Sequence, residues 1–193
     1  IIVGDENQIK SELGGSIPDH ISIHHTTQIV TMNDTGSKVL KRKPDSSIVQ
    51  GIKLVKDQKA NAFISAGHTG AVMATSLFLL GRIPHVKRPA LGAYLPTNSG
   101  GKILCDVGAN PDAKPIHLLQ FAIMASMYLD HVEGIKDIKI GLINIGAEPT
   151  KGSKMYLETF DLLEKELPNF IGNVESRNLF DCEANVLVCD GFV

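Results

Sequence analysis

Ser65-Ala66-Gly67-His68-Thr69-Gly70 sets hydroxyls, an imidazole and a pair of glycines within one hexapeptide. It follows the apolar Ala62-Phe63-Ile64, with Ala62 to Ser65 expected as a strand, and precedes Ala71 to Leu80, expected as a helix. A chain that turns through glycine into a helix leaves the first backbone N–H groups without intrahelical partners, at the positive end of the helix dipole. The chemistry expected there is capture of phosphate or carboxylate. Gly67 and Gly70 would equally serve to make the turn tight. A lone histidine in such a loop is as well suited to donating a hydrogen bond as to acting as a base, so the backbone and the hydroxyls of Ser65 and Thr69 carry more of the expectation than the His68 ring.

Three further segments repeat the pattern of an apolar run ending in glycine and polar residues: Asp106-Val107-Gly108-Ala109-Asn110, Asn144 to Gly152, and Asp190-Gly191. Ligands of open α/β sheets bind outside the carboxyl ends of the strands, so these segments are expected to share one cleft. Asp106 would also serve as a local turn cap. Lys151, placed at the expected start of a helix running to Leu167, is a cation at an unfavourable helix end, which points to an anionic ligand or to Glu148 beside it. His24, His25 and His117 lack metal-ligand spacing and read as structural or exposed. Met124 and Met127 read as core. Lys38, Lys41, Arg42 and Lys43, like Arg82, Lys87 and Arg88, read as solvated basic faces.

The elements that must hold these groups alternate. Ile1 to Val3 is a strand; Asp5 caps a short helix carrying Ile9 and Leu13; Ile21 to His24 is a second strand; and the polar Thr31 to Lys43 reads as a loop. Ser47 to Gln50 fits a capping box that opens a helix with Ile48, Ile52 and Val55 on one face. Ala90 to Leu95 and Lys102 to Val107 are strands joined by Pro96 to Gly101. A parallel crossover needs a dozen or more residues, so this pair is an antiparallel hairpin and the sheet is mixed. A helix over Pro115 to Asp130, a strand over Ile138 to Ile145 and a last strand over Val186 to Cys189 complete the pattern. The expected fold class is α/β, a three-layer αβα sandwich with a mixed sheet.

The chain has 193 residues, enough for one domain with a full core, and a formal net charge of -2, which gives no pull toward nucleic acid. No apolar run approaches the roughly 20 residues that span a bilayer. Cys105, Cys182 and Cys189 are expected as free thiols of a reducing compartment, and with no C-x-x-C pair no metal site is expected. The sequence lacks a dinucleotide G-x-G-x-x-G after the first strand, a Walker A loop and a G-x-S-x-G elbow. It carries no signal-peptide pattern, and both ends read as interruptions, so it is expected to be the ordered part of a longer protein.

In order and spacing, Val3-Gly4-Asp5, Ser46-Ser47-Ile48, Ser65 to Gly70, Arg88-Pro89-Ala90, Asp106 to Asn110, Asn144-Ile145-Gly146, Lys151-Gly152, Phe170 to Glu175 and Cys189 to Phe192 resemble the PlsX family of phosphate:acyl-[acyl carrier protein] acyltransferases. The family is longer at both ends, so residues 1–193 read as a single acyltransferase domain lacking the family's N-terminal strand and C-terminal segment. The family usually has Asn where His68 stands and an acidic residue where Ala147 stands. The resemblance implies a fold similar to the isocitrate/isopropylmalate dehydrogenase group, shared with phosphotransacetylases. It also implies no cofactor, a homodimer, and a cytoplasmic protein that can sit peripherally at the inner face of the membrane.

The implied reaction moves a long acyl chain from acyl carrier protein to inorganic phosphate. Phosphate is already an anionic nucleophile near neutral pH, so the protein has to hold it, align it and stabilise the tetrahedral oxyanion. Phosphate binding is expected at Ser65, Gly67, His68, Thr69 and Gly70. Lys151 is expected as the cation, with Asp106 orienting Lys151 or Asn110. Asn110 and Asn144 are expected as neutral donors, and Asn144, Gly146, Glu148 and Asn173 as the acyl and pantetheine contacts. Alternatives are an acyl-CoA:phosphate transferase, a decarboxylating 2-hydroxy-acid dehydrogenase, for which no fitting aspartate set is present, and a non-catalytic carrier- or lipid-binding module.

Overall fold

Asp5 closes the first strand and caps the first helix. β1 (Ile2–Gly4) passes into α1 (Glu6–Glu12), and Asp5 Oδ1 accepts the Gln8 amide at 2.8 Å, as the sequence leads one to expect. The computed structural model describes residues 1–97 and 100–192. The chain forms two compact units, Ile1–Ile83 and Pro84–Val193.

In the first unit β1 pairs in parallel with β2 (Ile23–His25), Ile2 opposite Ile23 and Gly4 opposite His25. The stretch expected as a loop contains a helix, α2 (Gly36–Arg42). Its basic side chains hide the signal, since Val39 is its one fully buried residue. Before it, Asp34 accepts from the Thr31 amide and hydroxyl and from Lys43 Nζ. Lys43 first, then the Thr31 amide, hold the Asp34 carboxyl down at about 2. α3 (Ser47–Lys56) buries Ile48 and Ile52, with Val55 half-buried. The expected capping box is absent, because the N-cap is Ser46 and the Gln50 side chain donates through Nε2 to Pro44 O at 2.8 Å.

Ala62 to Ser65 is not a strand among the described residues. Phe63 lies against α3 at Gly51, where an added Cβ would collide with its ring, and Ile64 is 94% exposed. α4 (Thr69–Leu79) then packs on α2 and α3 around Val39, Val49, Ile52 and Ala71.

The second unit is a five-stranded sheet of β3 (Gly92–Thr97), β4 (Gly100–Cys105), β5 (Ile140–Asn144), β6 (Phe170–Glu175) and β7 (Val186–Val188), in the order β3-β4-β7-β5-β6. β3 and β4 pair antiparallel and the other pairs are parallel, so the expected hairpin and mixed sheet are present. Asn98 and Ser99 of the expected connection lie outside the described residues. The sequence pattern gave no strand at β6, where Gly172 at φ +100° interrupts the alternation. The last strand in sequence is thus the middle strand in space, buried at all three residues.

α5 (Pro115–His131) and α6 (Lys154–Glu166) pack on one face of this sheet, where Leu118, Phe121, Leu129 and Leu163 meet Ile103, Leu142, Val186 and Val188. Met124 packs at the margin of this core, whereas Met127, expected in it, is 56% exposed. The other face buries Ile143, Val174, Leu187 and Cys189 beneath Leu179 and Cys182. Lys102 closes that face. It is 3% exposed, and its ammonium donates to Cys182 O and Ala184 O, both at 2.6 Å, which meets the cost of burying the charge.

Cys105 and Cys189 are buried and Cys182 is half-buried, all three as free thiols. Burial, followed by the neighbouring acidic charges, pushes Cys105 and Cys189 up to about 12. At pH 8 about one in 10⁴ of each is thiolate, so a thiol reagent should label Cys182 alone in the native protein and all three after unfolding, as read by mass spectrometry. A second expectation concerns α2. A Cβ on Gly36 would lie 2.6 Å from the Gly70 carbonyl carbon and 2.8 Å from the Ala71 nitrogen. Gly36→Ala should therefore lower stability by about 1–3 kcal/mol, seen as a lower urea midpoint.

Candidate functional site

In the first unit, the Ser65–Gly70 turn spends much of its hydrogen-bonding capacity on itself. Ser65 Oγ accepts the Gly67 amide at 3.1 Å. His68 is the N-cap of α4: its Nδ1 accepts the Ala71 amide at 3.3 Å, and its Nε2 lies 2.9 Å from Asp34 O. Those partners fit a neutral ring protonated at Nε2 and donating to Asp34 O. The imidazole is thereby the strut that holds α4 to the 31–35 turn. The amides of Thr69 and Gly70 have no partner among the described residues, and Gly36 presses on the backbone at Gly70.

In the second unit, three polar loops leave the carboxyl ends of parallel strands that are neighbours in the sheet: 106–110 after β4, 190–191 after β7 and 145–152 after β5. The side chain of Asp106 is wholly buried. Its Oδ1 accepts the amides of Leu91 at 2.9 Å and Ala109 at 3.3 Å, and its Oδ2 accepts the Asn110 amide at 2.6 Å and Asn110 Nδ2 at 2.9 Å. Asp106 therefore orients Asn110, one of the two residues expected of it. No hydrogen bond or ion pair joins it to Lys151 among the described residues. Asn110 Nδ2 also donates to Pro89 O at 2.8 Å, so both of its amide hydrogens are committed and its Oδ1 is what remains for a ligand. Gly191 closes over this loop: its amide donates to Asn110 O, and an added Cβ would fall 2.6 Å from the Asn110 nitrogen and 2.8 Å from Asp106 Oδ2.

The loop after β5 is braced from within. Asn144 Nδ2 donates to Lys151 O at 3.0 Å and to Asn173 Oδ1 at 3.2 Å, while Asn144 Oδ1 accepts the Ile145 amide. Asn173 Nδ2 donates to Glu148 O at 2.8 Å. Asn144 and Asn173 thus fix the backbone that presents Gly146, Glu148 and Lys151. Lys151 stands three residues ahead of α6 rather than at its first turn, because Gly152 at φ +99° and the N-cap Ser153 intervene. Its ammonium is 3.8 Å from Glu148 Oε1 and both side chains are open to solvent, a pair that contributes little by itself and leaves the cation available.

Tyr156 lies in no sequence motif, and Asp190 marks only a strand end there. The Tyr156 hydroxyl donates to Asp190 Oδ1 at 3.2 Å and accepts the Asp190 amide at 3.4 Å. Burial raises the Tyr156 pKa, so it stays a protonated donor. A lone tyrosine on an amphipathic helix carries no local sequence signal for such a contact. His117 is a buried cap accepting the Lys114 amide at 3.1 Å, and His25 Nδ1 accepts the Glu6 amide at 3.0 Å, both structural. Among the described residues no group of three His, Cys, Asp or Glu side chains could hold a metal ion, and no helix is long and apolar enough to cross a membrane.

The family profile described as "Fatty acid synthesis protein" matches residues 1–193. The chain is 50% identical over 197 residues to the phosphate acyltransferase of Halothermothrix orenii, covering 100% of this chain and 59% of that protein. It is 50% identical over 195 residues to the phosphate acyltransferase of Desulfitobacterium hafniense strain DCB-2, covering 58% of that protein. The chain thus spans less than two thirds of the length of the curated relatives it matches. Among solved structures, EutD phosphotransacetylase from Staphylococcus aureus aligns with 97% of this chain and 68% of its own at a TM-score of 0.63 and 17% identity, a likeness of fold.

Asp106→Asn would replace one oxygen that accepts two N–H groups by an NH₂ that cannot accept. It should cost about 3 kcal/mol, as an order of magnitude for two buried donors left unpaired. Thermal unfolding should shift down accordingly; an unchanged transition would mean that the loop does not depend on this carboxylate.

Proposed function

We propose a phosphate acyltransferase activity for this chain, which belongs to the fatty acid synthesis protein family over residues 1–193. The observation that carries the reading is 50% identity, along the whole of this chain, to proteins named phosphate acyltransferase. The donor is a long-chain acyl thioester of acyl carrier protein and the acceptor is inorganic phosphate. A phosphate oxygen attacks the thioester carbonyl, the tetrahedral oxyanion collapses with cleavage of the C–S bond, and the carrier thiolate takes up a proton as free thiol. The product is acyl phosphate.

The residues divide this work. The Ser65–Gly70 turn holds phosphate through Ser65, Thr69 and backbone amides, with Gly67 and Gly70 giving close approach and His68 acting through the cap it makes. Lys151 is the cation for the developing oxyanion, where a fixed charge is worth most. Asp106 sets Asn110. Asn144, Gly146, Glu148 and Asn173 shape the loop that meets the acyl-pantetheine arm. The finer architecture proposed is one three-layer domain like that of the isocitrate/isopropylmalate dehydrogenase group. A homodimer, in the cytoplasm and peripheral to the inner membrane face, completes the reading, with no cofactor required by the chemistry.

Lys151→Ala, with the fold checked by circular dichroism, should lower kcat for acyl phosphate formation by about 10²–10³. Turnover near that of the unaltered protein would remove Lys151 from the mechanism. Running the assay with acyl carrier protein and with acyl-CoA as donor separates this reading from a phosphotransacetylase-type transfer.

A further inference from the structure

We propose that phosphate is seated at the N-terminus of α3, in a polar pocket of the first unit, rather than on the N-terminus of α4. The inference rests on the acyltransferase reading for the identity of the ligand and moves the anion to the Ser65–Gly67 end of the turn. The pocket encloses about 330 Å³ and is walled by Gly4, Asp5, Thr26, Ser47, Ser65 and Gly67, among others. Three stretches that carry the family resemblance, Val3-Gly4-Asp5, Ser46-Ser47-Ile48 and Ser65 to Gly70, therefore meet in one place.

The two helix starts differ. At α4 the first turn is capped by His68 and pressed by Gly36. At α3 the cap residue turns away: Ser46 Oγ donates backward to Lys43 O at 2.8 Å and makes no side-chain cap, and the first amide with a helical partner is that of Gln50. The Ser47 amide faces Gln28 O in the bridge that pairs Gln28 with Ser46, and the amides of Ile48 and Val49 are left without partners among the described residues, at the positive end of a ten-residue helix.

A second observation is independent of the helix. Thr26 forms part of the pocket wall and is 3% exposed, yet its hydroxyl has no partner among the described residues. Its neighbours are spoken for: the Thr27 amide and hydroxyl both donate to Asp45 Oδ2, at 2.8 and 2.6 Å, and Gln28 Oε1 accepts the Asp45 amide at 2.9 Å. A hydroxyl unpaired among the described residues, on a residue so little exposed and at the wall of a polar pocket, is open to a ligand there. Ser65 Oγ accepts from Gly67 and so keeps its own proton to donate.

Asp5 narrows the ligand class. Its Oδ1 is held by the Gln8 amide and its other oxygen has no partner among the described residues. A carboxylate in the wall repels a fully deprotonated anion but accepts a hydrogen bond from a P–OH group. Phosphate keeps at least one proton near neutral pH and sulfate keeps none, so the pocket should select phosphate over sulfate.

The test is calorimetric titration of phosphate, and separately sulfate, into the intact protein at pH 7. Phosphate should bind and sulfate should not. Thr26→Val, close to it in shape, should weaken phosphate binding about tenfold or more, the worth of one hydrogen bond to a charged group. Asp5→Asn should admit sulfate. Ser65→Ala is the second variant should Thr26→Val not fold. No phosphate binding, equal binding of the two anions, or unaltered affinity in the variants would overturn the pocket. Acyl phosphate formation with an unchanged phosphate KM in Thr26→Val refutes the pocket and leaves the acyltransferase reading standing. Phosphate binding lost in Thr26→Val, with no acyl phosphate formed by the unaltered protein, refutes that reading and leaves the pocket standing.

Discussion

A carboxylate shut off from water organises the carboxyl edge of the sheet in the second unit. Asp106 has no exposed surface and is held by the amides of Leu91, Ala109 and Asn110 and by the Asn110 side chain. Burying a charge is expensive unless every lone pair is met, and here the donors come from two segments of chain, so the charge itself enforces their juxtaposition. The loop after β4 is tied to the residue before β3, and the turn after β7 fits only because residue 191 lacks a side chain. The same negative charge, added to burial, keeps the flanking thiols Cys105 and Cys189 protonated and inert.

Sequence signals succeeded where one local interaction decides the element. Asp5 caps α1 by its own side chain, Pro115 starts α5, and the short Pro96–Gly101 span leaves an antiparallel hairpin as the economical solution. They failed where tertiary contact decides. α2 has one fully buried residue among basic neighbours, too little for a helical period to show, and it is placed by the close contact of Gly36 with Gly70. Ala62 to Ser65 is apolar enough for a strand, but Phe63 is used against the bare face of Gly51. At α3 the residues of a capping box are present, yet Gln50 finds Pro44 O first.

The candidate site was legible as a set of segments and less so as a set of roles. Glycine-bearing strand ends marked Asp106, Asn144 and Asp190 correctly as the edge of the sheet. Residue type alone could not show that Asn110, Asn144 and Asn173 spend their amides on backbone, nor that the Tyr156 hydroxyl joins α6 to Asp190. Side-chain commitments of that kind depend on which carbonyls the fold brings within about 3 Å, and these come from distant parts of the sequence.

On the proposed acyltransferase reading the nucleophile is the anion itself, and the lining of the first-unit pocket can be read in that light. The first-unit pocket is walled by hydroxyls, amides and one carboxylate, with no Lys or Arg in its lining. The exposed ammonium of Lys151 belongs to the other unit. A cation clamped on phosphate would stabilise the ground state and blunt its attack, whereas neutral donors hold it loosely and keep its charge available. Binding energy accelerates a reaction only where it is larger in the transition state than before it. On the proposed reading, full charge is reserved for the carbonyl oxygen that becomes anionic during attack, and dipoles suffice for the reactant that arrives already charged.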